Sequence, residues 1–356
     1  MKKMWGAGLL CLLFTAGLAG AAGEERLQLG RGAWEGGDYE AAFNDFSEAA
    51  AQGSAEAMNN LGLAYHFGQG VDMDLEKAFH WWDQAAAAGN WAAMNNLGMA
   101  YDSGQGVEAD QEKAFYWFEK AATAGNGEAM NNLGLAYYLG RGAEADQGKA
   151  FHWWDQAAAG GNEEGMNNLA LAYASGQGTE ADQREAFYWF EKAALAGNGE
   201  AMNNLALAYD SGQGTATDKG KAFYWFEKAA SAGNMKAMNN LGLAYHFGWG
   251  TEADQREAFY WFEKAASVGN GEAMNHLGLT YDSGQGIAED REKAVYWWTQ
   301  AALAGNVAAM YNLAAAYHQS GGLTPPDREA RQWLPQAVQA SLETALKALG
   351  ALYSDS

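Results

Sequence analysis

Apolar side chains recur along this chain in a register of 36 residues, and inside each register they keep the spacing of helical faces. In residues 55–66, Met58, Leu61, Gly62 and Tyr65 fall at i, i+3, i+4 and i+7, the positions that share one side of an α-helix. Ser54, or Asn90 in the following copy, stands just ahead and supplies an N-cap. The glycines of Gly68-Gln69-Gly70 can take the left-handed backbone that ends a helix and turns the chain. A second helix is predicted over roughly 75–88. There Ala78, Trp81, Trp82, Ala85 and Ala86 repeat the same rule, Phe79 widens the stripe, Asp74 caps the start and Gly89 closes the end.

The helix pair is copied. Met58 returns as Met94, Met130, Met166, Met202, Met238, Met274 and Met310, and Tyr65 and Trp81 return with the same unbroken period down to Tyr317 and Trp333. Residues 179–194 and 251–266 are identical. A fixed period of this length marks a stacked array. The position of Gly62 holds Gly or Ala in every copy, which lets two helices approach closely. One helix pair cannot cover the large rings of its second helix, so the Trp series is expected to be hidden against the neighbouring copy.

Leu61, Gly62, Tyr65, Gly68, Gly70, Asp74, Lys77, Ala78, Trp81, Ala85, Ala86 and Gly89 together resemble the motif of the Sel-one-like repeat family, a branch of the tetratricopeptide superfamily. The resemblance covers residues 55–342 as eight units and implies an all-α fold, an α/α superhelical solenoid of tetratricopeptide-like helix pairs. Residues 24–53 read as a variant tetratricopeptide-like unit with a shorter loop, in which Asp45 stands at the Trp position. Residues 343–356 read as a capping helix. The eighth unit departs most, with Pro325, Pro326 and Pro335 predicting a kinked or shortened second helix.

Residues 1–22 differ from all that follows. Two lysines, a short apolar run and the small residues Ala19, Gly20 and Ala21 predict a secretory signal peptide; an uncleaved anchor is the alternative. The one cysteine, Cys11, lies in that run, so the mature protein has no disulfide and is expected in the periplasm or secreted, with no membrane span after cleavage. A formal net charge of −22 disfavours nucleic acid and anionic lipid as partners, because phosphate binding needs clustered Lys and Arg.

By the resemblance, the first helices line a concave groove, at positions such as Glu56, Asn59, Leu63, His66 and Phe67. Asn59, Asn95, Asn131, Asn167, Asn203, Asn239 and Asn275 would then form a ladder of amides able to hold the main chain of an extended peptide. The alternative is that they bridge neighbouring helices and hold the stack. Specificity falls to the groove positions that vary: His66 and Phe67, which recur as His246 and Phe247; Asp102, Asp210 and Asp282, each followed by serine; and Tyr138. Trp249, in the middle of a glycine loop, is a candidate anchor or a packing variant. Such a groove favours a protein or extended peptide with apolar and basic side chains.

No pair of histidines has the i, i+4 spacing of a zinc helix, and no nucleophile elbow, Walker loop or dinucleotide fingerprint is present. No cofactor or metal is expected. The expectation is a non-catalytic scaffold or adaptor of the bacterial cell envelope. Its rivals are an envelope hydrolase of the β-lactam-binding kind, for which the cysteines of such relatives are missing, and a purely structural acidic rod.

Overall fold

The capping signals read from the sequence set the helix ends. Asn90 accepts the Ala93 N–H at 2.8 Å and Asp110 accepts the Lys113 N–H at 3.0 Å, so one orphan amide in each first turn is satisfied. The Lys113 ammonium also reaches the Asp110 carboxylate at 3.0 Å and lies 5.2 Å from the centre of the Tyr101 ring. The Asp110 N–H in turn donates to the Tyr101 carbonyl at 2.9 Å. Tyr, Asp and Lys of the repeated motif thus form one clasp across the loop. Its hydrogen bonds and the lysine charge hold the Asp110 carboxyl below the usual range.

The computed structural model describes residues 22–319, and the chain divides into two compact units that meet in sequence at Asp182 and Gln183. All regular elements among the described residues are helices. The first unit holds α1 (22–35), α2 (Tyr39–Ala51), α3 (Ala55–Phe67), α4 (Leu75–Ala87), α5 (Trp91–Ser103), α6 (Gln111–Thr123), α7 (Gly127–Leu139), α8 (Gln147–Ala159) and α9 (Glu163–Ser175). The second holds α10 (Gln183–Ala196), α11 (Gly199–Ser211), α12 (Lys219–Ser231), α13 (Met235–Phe247), α14 (Gln255–Ser267), α15 (Gly271–Ser283), α16 (Arg291–Leu303) and α17 (Val307–Gln319). Within each unit, consecutive helices pack as a solenoid, each on its sequence neighbours. The predicted signal peptide, the second helix of the eighth repeat and the capping helix lie outside the described residues, apart from residue 22.

Inside a repeat the core is a large ring on a small residue. A methyl group built on Gly134 would stand 2.6 Å from the Trp154 ring, and one on Gly98 would stand 2.5 Å from Phe118. Leu97, Leu133, Leu205, Leu241 and Leu277 are wholly buried beside these contacts.

Here the structure corrects the expectation for the tryptophans. The fully covered ring is the second of the aromatic pair, Trp82, Phe118, Trp154, Phe226, Phe262 and Trp298, while Trp81, Trp117 and Trp153 are half-buried. One residue along a helix is a rotation of about 100°. That step turns Trp153 toward the seam with the preceding copy, where it packs on a cluster that joins Ala114 and Phe118 of that copy to Leu133 of its own first helix.

Between repeats the contact is a second aromatic pair. Phe79 meets Tyr101 edge to face at 5.3 Å, and Phe115–Tyr137, Phe187–Tyr209 and Phe223–Tyr245 repeat it at 5.1–5.2 Å. The helices α1 and α2 carry the same contacts. Phe46 lies under Gly30, Phe43 meets Tyr65 at 5.5 Å, and Asp45, which stands where later copies have Trp, is held by Arg26 at 2.8 Å.

Candidate functional site

The first helix of each repeat has two polar positions side by side, and their fates differ from the sequence expectation. Asn59, Asn95, Asn167, Asn203, Asn239 and Asn275 are buried and Asn131 is half-buried. Asn59 Oδ1 accepts from Asn96 Nδ2 at 2.9 Å. Asn95 accepts from Asn132 at 3.0 Å, Asn131 from Asn168 at 2.7 Å, Asn203 from Asn240 at 3.0 Å and Asn275 from Asn312 at 2.9 Å. Within each unit these five amide pairs join one repeat to the next and are not a row of free groups offered to a peptide. Burial explains the arrangement: an amide withdrawn from water needs a partner, and the following helix supplies one.

What the first helices do present is apolar. Met99, Leu135, Leu171, Leu207 and Leu279 occupy the same repeat position and are each about two-fifths exposed, with Leu63 and Leu243 half-buried at that position. The sequence reading placed Leu63 in the groove by resemblance but did not single out its series. The signal was present, since Leu or Met returns there in the first seven copies, with Ala315 in the eighth, although the core stripe already has its own leucine.

Two cavities open on this face. One, of about 430 Å³ in the first unit, gathers His66, Phe67 and Asp102 with Leu63, Met99 and Leu135 over the rings of Trp82 and Phe118. The other, of about 380 Å³ in the second unit, gathers His246, Phe247 and Asp282 with Leu243 and Leu279 over Phe262. Phe67 stands edge-on to His66 at 4.6 Å, and Phe247 to His246 at 4.5 Å. Tyr138 lies in neither cavity; its ring packs 5.7 Å from Trp154 and its hydroxyl accepts from Gln177 at 3.1 Å. Asp210 is paired with Lys219 at 2.5 Å. Trp249 is exposed and stacks on Phe247 at 4.8 Å with a 22° interplanar angle. Among the described residues no group of three or more His, Cys, Asp or Glu side chains could hold a metal ion, and no helix is long and apolar enough to cross a membrane.

One rung of the asparagine ladder is changed. His276 stands where other repeats have the donating asparagine, and Asn239 Oδ1 is left buried without a partner. His276 stacks instead on Phe262 at 4.9 Å, and burial together with His246 pushes its pKa down to about 4. The folded state therefore holds this imidazole neutral. Its contribution to stability is complete above the unfolded value near 6.5 and is lost as pH falls from there toward 4. His276→Asn returns a donor to Asn239 and is expected to raise stability by about 1 kcal/mol at neutral pH. It also flattens the decline in melting temperature between pH 6.5 and 4. Melting curves recorded across that range check both effects, and an unchanged pH profile would contradict the assignment.

No curated protein matches the sequence. Among solved structures, the chain is similar to a protective antigen present in uropathogenic Escherichia coli strains, displaying an SLR fold. The two are 31% identical with a TM-score of 0.68, over 93% of this chain and 71% of that one. It is also similar to a Sel1 repeat protein from Oxalobacter formigenes, 33% identical with a TM-score of 0.65, over 68% of this chain and 99% of that one. Residues 55–90, 91–126, 127–162, 163–198, 199–234, 236–270, 271–306 and 307–341 each match the Sel1 repeat. With eight consecutive matches covering residues 55–341, the chain belongs to the Sel1 repeat family.

Proposed function

We propose that this protein is an exported, non-catalytic scaffold that holds a protein or extended peptide partner on the face of its first helices, in the periplasm or outside the cell. Sel1 repeat solenoids are generally protein-interaction scaffolds, and the observation that carries the reading here is the exposed apolar series. Met99, Leu135, Leu171, Leu207 and Leu279 contribute nothing to the ring-on-glycine core or the aromatic pairs between repeats, yet they keep leucine or methionine in water. Within each unit, exposed apolar side chains repeated at one position and rimmed by polar groups mark an interaction site. The basic, apolar and small-residue order of residues 1–22 supports export.

A photoreactive amino acid placed at Leu135 in the living cell, with the captured protein identified, tests this. Met99→Glu together with Leu135→Glu is expected to weaken capture of that protein at least tenfold. The same pair should leave the melting curve nearly unchanged, because exposed substitutions of this kind cost within about 0.5 kcal/mol. Capture that survives the double substitution would refute the assigned face.

A further inference from the structure

The two cavities on the first-helix faces are the same site built twice. Each pairs a His-Phe repeat with the Asp-Ser repeat that follows it, and the second set lies 180 residues, five periods of 36, after the first. His-Phe occurs at these helix ends nowhere else in the chain, and both times Asp-Ser comes next. The shared content is an aromatic edge, an aliphatic wall, an aromatic floor and one carboxylate at the mouth.

In sequence the two sets differ by one charge at the position of Arg141. In the first cavity the Arg141 guanidinium, from the glycine loop of the next repeat, lies 3.7 Å from the Asp102 carboxylate and lines the cavity itself. The residue one full set of repeats later, position 321, is glycine. Among the described residues Asp282 has no ion pair, and it is exposed. Phe247, which lines the second cavity, is backed by Trp249, stacked on it at 4.8 Å outside the lining, and the Lys219 ammonium lies 5.4 Å from the Trp249 ring.

We propose that the Asp282 cavity takes an arginine side chain from the partner protein, and that in the first cavity Arg141, beside Asp102 at the mouth, already supplies that charge. The chemistry favours arginine over lysine. A planar guanidinium can lie against Phe247 while its N–H groups donate to Asp282 Oδ1 and Oδ2, and its methylene stem rests on Leu243 and Leu279. The net charge of −22 draws a basic segment toward the face. This inference rests on the scaffold reading above and names what one part of that surface accepts.

The test uses the full mature chain and a fluorescein-labelled peptide, Ala-Leu-Arg-Leu-Ala, with a citrulline analogue of the same shape but no charge. Fluorescence polarisation is expected to show saturable binding of the arginine peptide at one site per chain, at least tenfold weaker binding of the citrulline peptide, and an equal loss with Asp282→Asn. Asp102→Asn should change little. Arg141→Ala should free the Asp102 carboxylate and raise the stoichiometry from one to two. Equal binding of the two peptides, no effect of Asp282→Asn, or no binding at millimolar peptide would each overturn the proposal. The two readings also fail separately: if Asp282→Asn leaves cellular capture intact while Met99→Glu with Leu135→Glu abolishes it, the scaffold stands and the arginine site falls.

Discussion

Trp154→Ala is expected to lower the unfolding free energy by about 3–5 kcal/mol, the cost of emptying a packed aromatic site. Trp153→Ala, one residue earlier, should cost clearly less. Trp154 is 4% exposed and its ring fills the space left by Gly134, so its removal opens a hole between the two helices of one repeat. Trp153 is half-buried and covers the edge of the preceding copy, where water can enter once it is gone. Urea titrations of the two variants, compared at the same slope, decide the matter. If the two lose equal stability, the division between the ring within a repeat and the ring between repeats is wrong.

The size of the facing residue gives the same argument in reverse. Tryptophan occupies the buried ring position at 82, 154 and 298, where the facing residue is Gly62, Gly134 or Gly278. The repeats with Ala170 and Ala206 carry phenylalanine at 190 and 226. Each wide ring thus meets a residue without a side chain, and the methyl group is tolerated only with the smaller ring.

The helices, their caps and their period were legible because each depends on a few residues close in sequence. Asp110 four residues before Ala114, or Gly104 after Ser103, specifies a boundary with no knowledge of the rest of the chain. The choice between adjacent residues was not legible. Asn59 and Asn60, or Trp153 and Trp154, have the same chemistry and both border the apolar stripe, and only the position of the next helix decides which one is covered. The hydrogen bonds of the ladder run between residues 37 apart, such as Asn59 and Asn96, one more than the period. That offset is set by how one copy leans on the next. The candidate groove residues fared unevenly for the same reason. His66, Phe67 and Asp102 do share a cavity, as do His246, Phe247 and Asp282, because they sit at helix ends beyond the reach of the seam. The asparagines, one turn or more earlier, fall inside it.

The second glycine of each loop carries the other large effect. Gly142 has φ +71°, and a methyl group there would run into the Gln111 carbonyl at the start of α6, with the Phe115 Cβ only 2.8 Å away. Gly70, Gly106, Gly178, Gly214 and Gly250 stand in the same relation to the second helix of the copy before them. The loop of one repeat is therefore seated on the backbone of its predecessor, and neither atom can swing aside. Gly142→Ala combines a left-handed cost of about 1–2 kcal/mol with overpacking of about 1–3 kcal/mol, so a loss of about 2–5 kcal/mol is expected. Gly161→Ala is the control. Its φ of +89° is also left-handed, but nothing lies within 4 Å of the added methyl group, so only the first part applies. Because stability in a repeat array is a sum of copies and the interfaces between them, the lesion at Gly142 strikes one interface and spares the helices on either side. Hydrogen exchange should then show α1 to α6 opening separately from α7 to α9, whereas Gly161→Ala preserves a common opening. Equal destabilisation by the two substitutions would mean that the loop does not seat on its neighbour, and the register of the stack would have to rest on the aromatic and asparagine contacts alone.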